Sequence, residues 1–170
     1  MELASQLGES ETAEICAAML SGADPAEFGY AIHYLGKRAG VAGWPAYWPR
    51  VWGARGLLYV WPEPELPAVS DAVLTGARDE AWRVAEMCLK VSAKRDLPAT
   101  EEALALARHE LSRVRAVALR VLGTCGEHEH VAAVRAGLDD EDKTVRRAAA
   151  RAVERLECRL DLPAGLDSGA

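Results

Sequence analysis

The stretches VWGARGLLYV (51–60), WRVAEMCLKV (82–91), VRAVALRVLG (114–123) and VRRAAARAVE (145–154) stand under one another without a gap, and their starts lie 31, 32 and 31 residues apart. A fixed spacing of this size is the mark of a repeat architecture. Down the columns, Val51, Trp82, Val114 and Val145 correspond, then Ala54, Ala85, Val117 and Ala148, then Leu58, Leu89, Val121 and Ala152. Positions i, i+3 and i+7 line one face of an α-helix, so each stretch reads as a helix with an apolar stripe. Leu89 and Val121 are expected deep in the core.

A second helical pattern precedes three of these stretches, over about Leu66 to Ala77, Ala99 to Glu110 and Glu129 to Leu138. Neither helix of a pair can bury its stripe alone, and stacking neighbouring pairs supplies the missing partner. Gly76, Pro98, Gly126 and the run Asp139 to Asp142 fall between the patterns, where breakers and N-caps belong. The expected fold is all-α: a right-handed α-solenoid of antiparallel helix pairs forming a single domain, with repeats over 46–160. Upstream, Glu11 to Leu20 reads as a helix, Asp24-Pro25 as a cap before a helix to about Arg38, and Gly36, Gly40 and Gly43 as an irregular connection. Residues 1–45 therefore read as a divergent helical cap, and 161–170 (DLPAGLDSGA) as a disordered tail.

The run Asp140 to Val145-Arg146, followed by an alanine-rich helix, resembles the second half of a HEAT repeat. That family carries an Asp in the inter-helix turn and an Arg six residues later. The resemblance spans about residues 46 to 158 and implies a scaffold or adaptor that binds other macromolecules; a minority of the family are enzymes. Arg83 and Arg115 share the Arg column with Arg146, yet the positions six residues before them hold Ala77 and His109, and the first segment has Trp52 in the column with Ala46 before it. Only the last repeat keeps the full pair.

The formal charge of -6 on 170 residues argues against a protein that coats nucleic acid. The imbalance lies in residues 1–77, with 9 acidic and 4 basic side chains against 17 and 16 in the remainder. No apolar stretch approaches the roughly 20 residues that span a bilayer, so a soluble, cytoplasmic protein is expected. Cys16, Cys88, Cys125 and Cys158 are widely spread and read as reduced thiols rather than a disulfide framework.

Nine of the ten Phe, Trp and Tyr residues fall between Phe28 and Trp61. Trp48 and Trp52 share a helical face, and Pro49 is acceptable if the helix begins near Ala46. Two readings stay open: the rings fill an irregular core, or they form a patch whose Trp side chains anchor a partner. Trp52, in the arginine column, is expected to be more exposed than Trp48. Arg83, Arg115 and Arg146 likewise either bond to turn carbonyls and acids of their own repeats or form a basic row for an acidic protein segment. Trp48, Trp52, Arg83, Arg115 and Arg146 are thus the candidate partner-binding residues.

Arg147, Arg151, Arg155 and Arg159 make a further i, i+4 stripe, read as a solvated face. Cys125-Gly-Glu-His128-Glu-His130 lacks a second ligand pair at zinc spacing, and Asp139 to Asp142 reads as N-capping charge rather than a calcium loop. No cofactor, metal or catalytic residue is expected. The alternative is a nucleic-acid-binding protein resembling HEAT-like DNA glycosylases, for which Trp48, Trp52, Arg55 and Arg83 are a loosely similar set. Against it, no acidic residue lies between Glu27 and Glu63 to serve as the catalytic carboxylate.

Overall fold

A computed structural model describes residues 2–29, 31–35 and 44–162. Among them every regular element is helical, and no helix is long and apolar enough to cross a membrane. The chain's contacts gather into two compact units, residues 1–97 and 98–170, with the boundary just before the helix-breaking Pro98. The repeats expected over 46–160 are shared between them.

The first unit contains α1 (Glu2–Leu7), α2 (Glu9–Leu20), α3 (Ala31–Leu35), α4 (Trp48–Leu57), α5 (Pro67–Gly76) and α6 (Trp82–Arg95). Helix α2 packs on α4 and α5, and α6 packs on both of those helices. Their apolar stripes meet in a core that includes Met19, Leu57, Val69, Val73, Val84 and Leu89. Close approach on α2 is set by Gly53, where an added Cβ would run into the Cys16 carbonyl oxygen and come within 2.9 Å of the Leu20 nitrogen. The segment after Asp24-Pro25 forms a short 3-10 turn, Pro25–Phe28, with the Asp24 carboxylate accepting from the Ala26 N–H at 2.9 Å. The glycines Gly36, Gly40 and Gly43 lie outside the described residues.

The second unit contains α7 (Thr100–Leu106), α8 (Ser112–Cys125), α9 (Val131–Ala136) and α10 (Lys143–Arg159). Helix α8 packs on α7 and α10, and α9 packs on α10. Val114, Leu119, Val121, Leu122, Val134, Val145 and Leu156 are essentially inaccessible. Small residues set the α8–α10 separation: a Cβ on Gly123 would stand 2.7 Å from the Cα of Ala152. Asp142 caps α10, accepting from the N–H of Thr144 at 2.6 Å and of Val145 at 3.4 Å, the role expected of this acidic run. All but two residues of the tail from Asp161 lie outside the described residues.

The four stretches that align in sequence are α4, α6, α8 and α10. Ten of their twelve aligned stripe positions are buried; Leu58 and Trp82 are half-buried. The structure moves the register of α6 by two residues. The turn residue that accepts from the N–H two positions on is Asp79 (Ala81 N–H, 2.8 Å), His109 (Leu111 N–H to Nδ1, 3.0 Å) and Asp140 (Asp142 N–H, 2.9 Å). On this footing Val84, Val114 and Val145 correspond, and all three are buried. The residue of α6 matching Arg115 and Arg146 is Ala85, not Arg83.

Candidate partner-binding site

In the first unit the aromatic residues form a graded cluster at the start of α4. Pro49 falls in the first helical turn, where its missing N–H costs nothing. Trp44 and Trp48 meet edge to face at 5.4 Å, Trp48 stacks against Trp52 at 6.4 Å, and Tyr47 lies 5.5 Å from Trp48. Trp44 is 40% exposed, Tyr47 and Trp48 are half-buried, and Trp52 keeps only 7% of its surface. The cluster runs from solvent to core over three rings.

Arg83, at the start of α6, joins this cluster. Its guanidinium carbon lies 4.2 Å from the Trp82 ring centre and 5.9 Å from those of Tyr47 and Trp48. These distances place the cation within reach of three ring faces, whose negative quadrupoles attract it. Two expected candidates, Trp48 and Arg83, are thereby brought together from helices 35 positions apart in sequence.

Trp52 corrects the expectation of exposure, being the most enclosed ring of the cluster. The arginine that does in α4 what Arg115 does in α8 is Arg50: its Nε donates to Asp79 at 2.7 Å and its Nη2 at 3.2 Å. Trp52 stands two residues beyond Arg50, a rotation of about 200° around the helix. That turns it inward.

Arg115 and Arg146 belong to the second unit and behave alike in part. Each holds the turn before its own helix through Nη1: Arg115 donates to the carbonyls of His109 and Glu110 at 3.0 Å each, and Arg146 to those of Asp140 and Glu141 at 2.7 and 2.9 Å. Arg115 also grips Asp140 through Nε and Nη2, both at 2.8 Å. The Arg115 hydrogen bond and, to a lesser degree, that from the Asp142 N–H hold the Asp140 carboxyl below the usual carboxylate range, while burial works against them. With 11% of its side chain exposed, Arg115 is committed to its own chain. Arg146 is exposed.

Basic residues also close the far end of α4. Lys94 donates to the Leu58 carbonyl at 2.5 Å, and Arg95 reaches the carbonyls of Leu57 and Leu58 at 3.4 Å while lying 5.3 Å from the Trp61 ring centre. Cations suit a helix C-terminus, whose last carbonyls lack helical partners. Arg55 donates to the Leu35 carbonyl at 2.5 Å. In the turn after α8, His130 is buried with its Nδ1 accepting from the Glu127 N–H at 2.9 Å, completing a capping box around a 3-10 turn. Among the described residues no three His, Cys, Asp or Glu side chains come together as a metal site.

Sequence reasoning did not point to Arg50 or Asp79, and it placed Trp82 only in the apolar stripe. The signal was present, because Asp79-Glu80, His109-Glu110 and Asp140-Glu141 each precede a helix start by the same three residues. No curated protein and no solved structure matches the chain. Residues 100–167 match the family model for HEAT repeats, so that stretch of the chain is similar to the HEAT-repeat family.

Proposed function

We propose that the chain is a non-catalytic, protein-binding HEAT-repeat module, a cytoplasmic scaffold whose helix pairs stack as an α-solenoid. The observation that carries this reading is the surface in which the part-exposed rings of Tyr47, Trp48 and Trp82 lie around the Arg83 guanidinium, extended by the exposed Trp44 against Trp48. Trp, Tyr and Arg are the side chains that dominate binding energy at protein interfaces, because they offer large contact areas with a polar handle. Burying the free surface of these rings under a partner segment would add the hydrophobic gain that folding leaves uncollected. Four free thiols, with Cys158 exposed, suit a reducing compartment.

The nucleic-acid alternative is less well supported. Of the residues resembling a glycosylase groove, Trp52 is enclosed and Arg55 is engaged with the Leu35 carbonyl. The test is affinity purification of the full chain with quantitative mass spectrometry, comparing wild type with Trp48→Ala and Arg83→Glu. Loss of the same partner by both variants, with melting temperatures close to wild type, supports the reading. Retention of every partner, or a salt-sensitive gel shift on DNA that both variants abolish, overturns it.

A further inference from the structure

A second surface, within the 98–170 unit, has no counterpart in the aromatic cluster. Between α8 and α10 lies a groove of about 350 Å³ lined by Arg120, Thr144, Arg147, Arg151 and Arg155, with Ala148 and Ala152 completing it. All four arginines are exposed, and no carboxylate lines the groove. The next arginine of the stripe, Arg159, is paired with Glu127 at 3.1 Å, and Arg155 makes one long bond of 3.5 Å to Thr124. Of the acids on α10, Glu157 turns toward Arg135 at 3.5 Å, and Glu154 is exposed and does not line the groove.

We infer that this groove is a docking site for an acidic helical segment of a partner protein. Like charges this close repel one another in the free protein, and a carboxylate-bearing ligand relieves that repulsion while the planar guanidinium offers it a two-pronged contact. The spacing selects the form of the ligand. Arg147, Arg151 and Arg155 rise about 6 Å per step along α10, and glutamates placed every four residues on a second helix rise by the same amount. Gly123 against Ala152 lets α8 and α10 approach closely beneath the groove.

The same surroundings disfavour a phosphate backbone. The run Asp139 to Asp142 stands just beyond Thr144 at the start of α10, so a long polyanion following the groove meets acid as it leaves. A short acidic helix does not. The inference rests on the protein-binding reading of the chain, but the groove shares no residue with the aromatic cluster, so the two fail separately.

The experiment uses the full chain and a labelled helical peptide of about 16 residues with glutamates at i, i+4 spacing, alongside its glutamine counterpart, in fluorescence anisotropy at about 150 mM salt. The Glu peptide is expected to bind, the Gln peptide to bind at least about tenfold more weakly, and Arg147→Glu with Arg151→Glu to reduce Glu-peptide binding by a similar factor without moving the melting temperature. Trp48→Ala is expected to leave peptide binding unchanged. Equal binding of both peptides, indifference to the arginine replacements, or tighter arginine-dependent binding of duplex DNA would each overturn the inference.

Discussion

Arg115 on α8 and Asp140 in the turn before α10 are joined by two hydrogen bonds of equal length, 2.8 Å each, on a guanidinium already anchored to the carbonyls of His109 and Glu110. One side chain thus ties together the turns at the starts of α8 and α10. Removing it with Arg115→Ala is expected to cost about 1 to 2 kcal/mol, partial exposure of the pair keeping the loss below the range for fully buried ions. Arg146→Ala, which gives up only carbonyl contacts, should cost less. Urea denaturation of the two variants beside wild type checks the order.

The same pair makes stability depend on acid. Arg115 depresses the folded-state pKa of Asp140, so its contribution is complete above the unfolded value of about 4 and disappears as pH falls through the lower folded value. Asp140→Asn should therefore melt lower than wild type at neutral pH, with the two converging in acid. Thermal melts across that range test this, and parallel curves would contradict it.

Trp52 and Trp48 are expected to separate stability from recognition. Trp52→Ala removes an enclosed ring and should cost about 3 to 5 kcal/mol. Trp48→Ala, at a half-buried position, should cost about 1 kcal/mol while weakening partner binding. Chemical denaturation of both variants gives the first half of the comparison and the affinity purification gives the second.

Gly123→Ala pits helix propensity against packing. Alanine gains about 1 kcal/mol over glycine in a helix, but its methyl would stand 2.7 Å from both Cα and Cβ of Ala152, and backbone cannot swing aside. Overpacking of this kind costs about 1 to 3 kcal/mol, so the variant should melt below wild type. A higher melting temperature would show that α8 and α10 separate freely.

Thiol reactivity should follow burial. Cys158 is exposed, whereas burial pushes the Cys16 thiol up to about 12 and that of Cys88 higher still, the latter helped by the nearby Asp79 charge. Because the thiolate is the reactive form, an aromatic disulfide reagent should label Cys158 quickly in the native protein, and Cys16 and Cys88 only after unfolding. Mass spectrometry of labelled peptides assigns each site.

The positions of the repeat helices were legible in the sequence because periodicity reports which face is buried, and Leu89, Val121 and Val145 lie where that periodicity puts them; the helix expected from Ala26 to Arg38 is instead, among its described residues, a 3-10 turn followed by the short α3. Register was harder to read. Matching Trp82 to Val114 by apolar character misplaces α6 by two residues, since several frames of a helix present an apolar residue and size alone does not choose among them. The polar turn residue chooses, through a hydrogen bond to the N–H two positions on, and that bond is invisible until the chain is folded. The candidate site inherited the error: Trp52 and Arg83 were placed in one column, whereas one ring faces the core and the other side chain crosses from α6 to the rings of α4. Their meeting depends on how α4 and α6 pack, which a one-dimensional pattern does not encode.

The two buried sulfurs occupy notches left by glycines. A methyl added at Gly56 would strike the Cys16 sulfur, and one at Gly76 would come within 2.7 Å of the Cys88 sulfur. Each thiol and its glycine therefore share one fixed volume, and substitutions there should not drift independently. A lineage that enlarges position 56 must shrink position 16, and one that enlarges position 76 must shrink position 88 or shift Leu20 as well. Among descendants of this chain, enlargement at 56 or 76 should come with a smaller residue at 16 or 88.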